Sequence, residues 1–254
     1  MAASHGKRPI SRTSSARRFN AAAAGGAGPT GAPRQRVLYG RRKGRKLKGG
    51  RSAALAELLP VLAIPDGVDA VDPQSLFPHA VSDVWLEIGF GAGEHLAAQA
   101  IAHPDIGFIG AEPFENGVAT LLAQVQAERL HNIRVFADDV RLLIARLPDA
   151  SIGRLFVLFP DPWPKARHHK RRMIGPTTLP EFARILKDGA ELRFASDDAD
   201  YVAWTLEHIA REPAFALRSR ERGVWPETRY EAKARAAGRA CAYLEFTRVA
   251  RNAR

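Results

Sequence analysis

From about Ser82 onward, short apolar and β-branched runs alternate with stretches of helical periodicity. The runs "VWLEIG" (84–89), "GFIGAE" (107–112), "IRVFA" (133–137), "GRLFVLF" (153–159) and "AELRFAS" (190–196) predict strands. Helices are expected between them, near 93–102, 115–130, 140–147, 177–187 and 198–211. That alternation implies an α/β fold, a mostly parallel sheet with helices on both faces. The segments "ALRSRE" (216–221) and "AYLEFTRV" (242–249) are expected to add a terminal pair, for seven strands in all. Residues 1–35, centred on "AAAAGGAGPTGAP", carry no apolar periodicity and are expected to be disordered.

Composition sharpens this division. With 254 residues and 46% hydrophobic content, the chain can bury one substantial core. Its net charge of +11 is concentrated at one end: residues 1–51 hold 14 Lys or Arg and no acid, and residues 52–254 hold 24 basic and 27 acidic residues. The expected organisation is a disordered basic arm (1–51) followed by one folded domain (52–254). A mobile cationic arm favours a polyanionic partner, because binding releases condensed counterions. A solubility tail and an Arg- and Ser-rich transit peptide remain as alternatives. The single cysteine, Cys241, excludes an internal disulfide framework and a cysteine-rich zinc site. Neither a bilayer-spanning apolar run nor a secretory h-region is visible, so a cytoplasmic protein without membrane contact is expected.

Candidate chemistry lies at the carboxyl ends of the strands, where open parallel sheets bind ligands. The first strand runs into "LEIGFGAGEHL" (86–96), with Gly89, Gly91 and Gly93 at every second position. The dinucleotide fingerprint needs glycine at 94, which is Glu94, and the acid Glu87 would repel a pyrophosphate. Glu87 suits the cationic methionine end of S-adenosylmethionine instead. Glu112 ends the second strand 19 residues after Gly93, where an acid can accept both hydroxyls of a ribose. Asp139, in "ADDV" after the third strand, is placed to accept from an adenine amino group. Each acid taken singly is equally well explained as a helix N-cap, but three at successive strand ends beside a glycine loop favour adenosylmethionine.

The fourth strand leads into "FPDPWPKARHHKRRM" (159–173), where Asp161 stands between two prolines and ahead of a basic run. With "LEIGFGAGEHL", "GAEPFENGV", "FASDDADY" and "TRYEAKARAAGRACAYLEF", this block resembles the bacterial tRNA (guanine-N7)-methyltransferases over most of residues 82–248. The resemblance implies a Rossmann-like, class I methyltransferase sheet and methyl transfer from adenosylmethionine to N7 of a tRNA guanosine, at position 46 of the variable loop. It implies that Glu87, Glu112, Asp139 and Asp161 are cofactor-site acids and that Asp161 is also catalytic. It implies substrate contacts at Lys165, Asp197, Thr228, Arg229, Tyr230 and Glu231, and RNA contacts along Arg167, Lys170, Arg171 and Arg172. No metal and no obligate protein partner are implied.

The residues read by themselves are compatible with this chemistry. Guanine N7 has an in-plane lone pair and no proton, so its methylation calls for positioning and tolerance of new positive charge rather than a strong base. A carboxylate serves both ends by accepting from the guanine N1–H and amino group. Pro160 and Pro162 restrict φ on either side of Asp161. Charge runs are usually solvated faces, but the position of this one beside the expected transfer point favours phosphate contacts. Two of the acids have alternatives: Asp197 as an N-cap, and Glu231 as a lid contact or a structural acid. His168 and His169 receive no role.

Overall fold

The computed structural model describes, apart from Met1, residues 39–67 and 69–251. These lie within one unit of the chain, Gln35–Arg254. Seven strands form one sheet: β1 (Asp83–Ile88), β2 (Ile106–Ala111), β3 (Ile133–Phe136), β4 (Ile152–Leu158), β5 (Leu186–Ser196), β6 (Phe215–Ser219) and β7 (Ala242–Arg248). Their spatial order is β3-β2-β1-β4-β5-β7-β6. The first five run parallel, and β7 is antiparallel to both of its neighbours. The sheet order reverses direction between β1 and β4, a switch point at which doubly wound sheets open a crevice for ligands.

The helices are α1 (Gly50–Leu62), α2 (Glu94–Ala102), α3 (Glu115–Glu128), α4 (Val140–Ile144), α5 (Leu179–Ile185), α6 (Ala199–Ala210) and α7 (Arg229–Ala236). Because side chains alternate along a strand, β1 feeds two cores. Val84, Leu86 and Ile88 pack with α4, α5 and α6 through residues such as Leu143, Phe182 and Tyr201. Trp85 packs on the opposite face with α1, α2 and α3 through Ala54, Leu96 and Leu121. This double coverage explains why β1 and β2 are nearly continuous apolar runs.

The structure differs from expectation in four places, one of them helix α7 (Arg229–Ala236), which the pattern did not predict. α1 was not foreseen, although Ala54, Leu55, Leu58, Leu59 and Leu62 form a helical stripe that packs against the α3 side of the sheet. Strand β5 begins at Leu186, directly after α5, and its register slips between Ile152↔Leu186 and Arg154↔Glu191 around Gly189 at φ 80°. Finally, residues 39–49 of the expected arm lie against the folded domain. The Arg42 carbonyl accepts from the Glu115 N–H at 2.8 Å, and Asn116 exchanges hydrogen bonds with Gly44 and Arg45. The Arg42 guanidinium pairs with Asp138 at 3.4 Å and Lys43 with Glu115 at 3.2 Å. Gly50 and Arg51 of the expected arm open α1, and its residues 2–38 fall outside the described residues.

Candidate active site

The loop from β1 to α2 is built on left-handed glycines, with φ of 72° at Gly89, 59° at Gly91 and 85° at Gly93. A side chain at Gly91 would also strike the ring of Tyr230, since its Cβ would lie 2.9 Å from a ring carbon. Gly93 lies away from the ligand space, at the N-cap of α2 and pressed on Leu121 of α3. Glu112, just past β2, holds this loop in place. One of its carboxylate oxygens accepts from Gly91 N–H and the other from Phe114 N–H, both at 2.9 Å. Burial pushes its pKa up against the pull of those two bonds, and the nearby charges of Asp161 and Glu87 push it further.

A cavity of about 360 Å³ opens at this end of the sheet. Gly89, Gly91, Glu112, Asp139, Asp161 and Tyr230 all line it, so the ends of β1 to β4 and helix α7 converge there. Asp139 also caps α4: its carboxylate accepts from Arg141 N–H at 3.0 Å and pairs with the Arg141 guanidinium at 3.0 Å. The cap and the cavity position coexist in one residue. Glu87 is a different case, because it does not line the cavity. It points to the Trp85 face of β1, is 3% exposed and bonds His95 Nδ1 at 2.8 Å. With Nδ1 donating, His95 Nε2 is left to accept from Gln99 at 3.3 Å.

Asp161 is exposed on the loop after β4 and borders the cavity. Two residues away on each side, Phe159 (φ 49°) and Trp163 (φ 47°) adopt left-handed backbone that costs a non-glycine residue roughly 1–2 kcal/mol. Such strain persists only where surrounding contacts enforce it, and it concentrates at functional sites. Lys165, Arg167 and Lys170 are exposed on or beside the 3₁₀ turn Ala166–Arg171. Arg171 instead lies between two rings, 4.4 Å from the centroid of Tyr39 and 4.8 Å from that of Trp163. His168 packs edge-on to Trp163, and desolvation with the surrounding cations lowers its pKa.

Arg172 corrects the sequence reading. At 3% exposure it cannot meet RNA phosphates; it faces inward, pairs with Asp200 and donates from Nε to the Pro162 carbonyl at 2.8 Å. Glu231 is corrected too, from substrate contact to structural acid. It is 1% exposed, bonded by Arg222 Nε at 2.5 Å and by the Tyr243 hydroxyl at 2.7 Å. Burial pushes its pKa up, but Arg222 and Tyr243 outweigh that and hold it below the usual carboxylate range. Thr228 caps α7 by accepting from Glu231 N–H at 3.0 Å. Thr228 and Glu231 thereby orient the helix that carries Tyr230 to the cavity, where burial and then Glu112 raise the tyrosine's pKa. Arg229 pairs with Glu94 at 3.1 Å, and Asp197 with Arg239 at 2.6 Å.

Among the cavity residues that sequence reasoning misses are Tyr39 and Asp138. Tyr39 has a signal, an aromatic residue directly before the cluster "GRRKGRK". Asp138 is the unchosen neighbour in "ADDV"; its carboxylate accepts from Asp139 N–H at 2.8 Å and faces Arg42. Among the described residues, no group of His, Cys, Asp and Glu is arranged to hold a metal ion, and no helix is long and apolar enough to cross a membrane.

Comparison with known proteins agrees with this geometry. The family described as "Putative methyltransferase" matches residues 82–244. A tRNA (guanine-N(7)-)-methyltransferase of Rhodospirillum rubrum is 52% identical over 85% of this chain and 89% of that protein. Proteins of the same name from Paramagnetospirillum magneticum and Nitrobacter hamburgensis are 52% and 48% identical, each over 84% of this chain and over 93% and 87% of their own lengths. Among solved structures, the 16S rRNA methyltransferase KamB superposes with a TM-score of 0.52 at 19% identity, over 67% of this chain and 89% of that one, which establishes likeness of fold. The chain belongs to the tRNA (guanine-N(7)-)-methyltransferase family.

Proposed function

We propose that this protein is a cytoplasmic enzyme that transfers a methyl group from S-adenosylmethionine to N7 of a guanosine in tRNA, at position 46 of the variable loop. The observation that carries the proposal is the meeting of Glu112, Asp139 and Asp161 on one cavity, beside an exposed basic turn. The names of the relatives supply the substrate class.

The cavity suits the methyl donor. Its volume of about 360 Å³ falls in the range of small-molecule sites, and a Cβ placed on Gly89 would meet open space there. Glu112 would hold the ribose hydroxyls, since each oxygen already bonded to a backbone N–H keeps a second lone pair. Asp139 would accept from the adenine amino group. When bound, the donor supplies an electrophilic methyl on a sulfonium.

The chain's own residues then have two tasks, to orient the guanine and to tolerate positive charge on it. Asp161 performs both by accepting from the guanine N1–H and amino group, which sets N7 toward the donor and opposes the charge that develops on the ring. Tyr230, packed over Gly91, narrows the space beside that loop. Lys165, Arg167 and Lys170 contact phosphates and set the register of the RNA without reading its sequence.

The test is nucleoside mass analysis after incubation with bulk tRNA and labelled donor. The expected product is 7-methylguanosine, abolished when the variable-loop guanosine is replaced. Methylation of another base, or of protein, would overturn the reaction; persistence of 7-methylguanosine on the replaced tRNA would overturn the position.

A further inference from the structure

Arg172 belongs to a basic run, yet it is among the most enclosed charges in the protein. The residue is 3% exposed, and its guanidinium lies over two rings of α6, 4.9 Å from the centroid of Tyr201 and 5.1 Å from that of Trp204. Its Nη2 pairs with Asp200 at the start of the same helix, and its Nε donates to the Pro162 carbonyl at 2.8 Å. The chain just after it is tied to the same helix: Ile174 N–H donates to the Tyr201 hydroxyl at 3.1 Å, and Trp204 Nε1 donates to the Ile174 carbonyl at 2.7 Å. Hydrogen bonding to Arg172 holds the Asp200 carboxyl below its usual range, so this acid is an ionised partner at neutral pH.

Pro162 is the residue after Asp161, and Phe159 and Trp163 bracket both in strained backbone. Prolines have no N–H, so Pro160 and Pro162 leave the loop few backbone donors of its own. At the near end, Phe159 N–H donates to the Ala195 carbonyl of β5 at 2.7 Å. At the far end, the Arg172 bond to the Pro162 carbonyl ties the loop directly beside Asp161. The planar fork of arginine serves carbonyl, carboxylate and ring faces together, which a lysine head group does not.

We propose that Arg172 is a positioning residue for Asp161: it braces the strained loop against α6 from the inside and so sets where the Asp161 carboxylate meets the guanine. The inference rests on the role assigned to Asp161 above. Its neighbours Lys165, Arg167 and Lys170 face solvent and act on affinity; Arg172 acts on turnover.

The experiment compares Arg172→Lys, Asp200→Asn, Asp161→Asn and the double variant Asp161→Asn/Arg172→Lys in the full-length chain. Each is checked for folding by circular dichroism and assayed at saturating tRNA and donor. Misplacement of a reacting group by about 1 Å costs around a hundredfold, so Arg172→Lys is expected to lower kcat by about 10- to 100-fold, with KM for tRNA and its salt dependence unchanged. Asp200 is exposed, so Asp200→Asn is expected to fold and to lower kcat in the same direction, which decides the matter even if Arg172→Lys does not fold. Added to Asp161→Asn, Arg172→Lys is expected to cause little further loss, because both act through one carboxylate. Normal kcat in the folded single variants, additive losses in the double variant, or a flattened salt slope with kcat intact would each overturn the proposal. If Asp161→Asn itself retains full turnover, the reading of the site fails; if only the Arg172 and Asp200 variants do, the site stands and the brace does not.

Discussion

The two sides of the candidate site are held by different means. At the ends of β1, β2 and β3, backbone N–H groups do the holding: Glu112 accepts from Gly91 and Phe114, and Asp139 caps the helix that follows it. Around the loop after β4 and beside α7, contacts between side chains do it. Arg172 reaches α6, Arg222 and Tyr243 fix Glu231 of α7, and Arg171 rests between Tyr39 and Trp163. The first arrangement is compact and suits a small ligand of constant shape. The second assembles from distant stretches of chain, as a surface for a large polyanion must.

The largest expected effect falls on the second side. Asp161→Asn should leave the melting temperature intact, since the residue is exposed on a loop, and should cost about 2–4 kcal/mol of transition-state stabilisation, the scale of removing one electrostatic partner. Single-turnover rates near those of the parent would dissolve the distinction between the two sides. On the first side, Glu112→Ala should weaken donor binding by about 1–3 kcal/mol while tRNA affinity holds, because it removes a charge-assisted acceptor and frees the Gly91 loop. Calorimetry with unaltered donor affinity would leave Glu112 a purely structural clasp.

Salt dependence sharpens the contrast further. Replacing Lys165, Arg167 and Lys170 by alanine should reduce the slope of log affinity against log salt by about 0.7–0.9 for each phosphate left without its cation, with turnover at saturation preserved. An unchanged slope would make the turn ordinary solvated surface. Tyr39→Ala should cost less, about 0.5–1 kcal/mol, the worth of one cation–π pair at a partly exposed site. Thermal unfolding is the measurement, and a loss well beyond that would mean that residues 39–49 hold more of the domain than this stack.

The smallest effect is in pH dependence, where the two buried acids have opposite signs. Glu231 has a lowered pKa, so its stabilisation is present above the ordinary glutamate value and is lost as pH falls through the folded value. Glu112 has a raised pKa, so it contributes in the reverse sense: its stabilisation is present below the ordinary value and disappears as pH rises through the folded one. Stability measured from neutral pH down through the carboxylate range should therefore fall less steeply in Glu231→Gln and more steeply in Glu112→Gln. Identical slopes in both variants would contradict the opposing environments.

Legibility followed the same division. The strands from 84 to 196 were readable because a strand covered on both faces must be apolar throughout, and the glycine loop because positive φ excludes most other residues. α1 was readable in principle, since Ala54, Leu58 and Leu62 recur every four residues, but it precedes the β/α alternation that begins near Ser82, and no element was assigned there. Arg172 and Glu231 were misread for a physical reason: a charged residue looks the same in sequence whether water or a distant counterion solvates it. Arg172 meets Pro162 and Asp200, and Glu231 meets Arg222 and Tyr243, at separations of 9 to 28 residues that no spacing rule connects.

By itself the sequence determined the alternation of β and α, the family-specific block around Asp161 and the acids at successive strand ends, because periodicity, backbone stereochemistry and motif identity are properties of neighbouring residues. Only the tertiary structure decided which charges face water. It turned Glu87 toward His95, drew Arg172 and Glu231 inward, and laid Tyr39 beside Trp163. Burying a charge is costly unless a partner meets it, and which partner meets it depends on how distant segments pack.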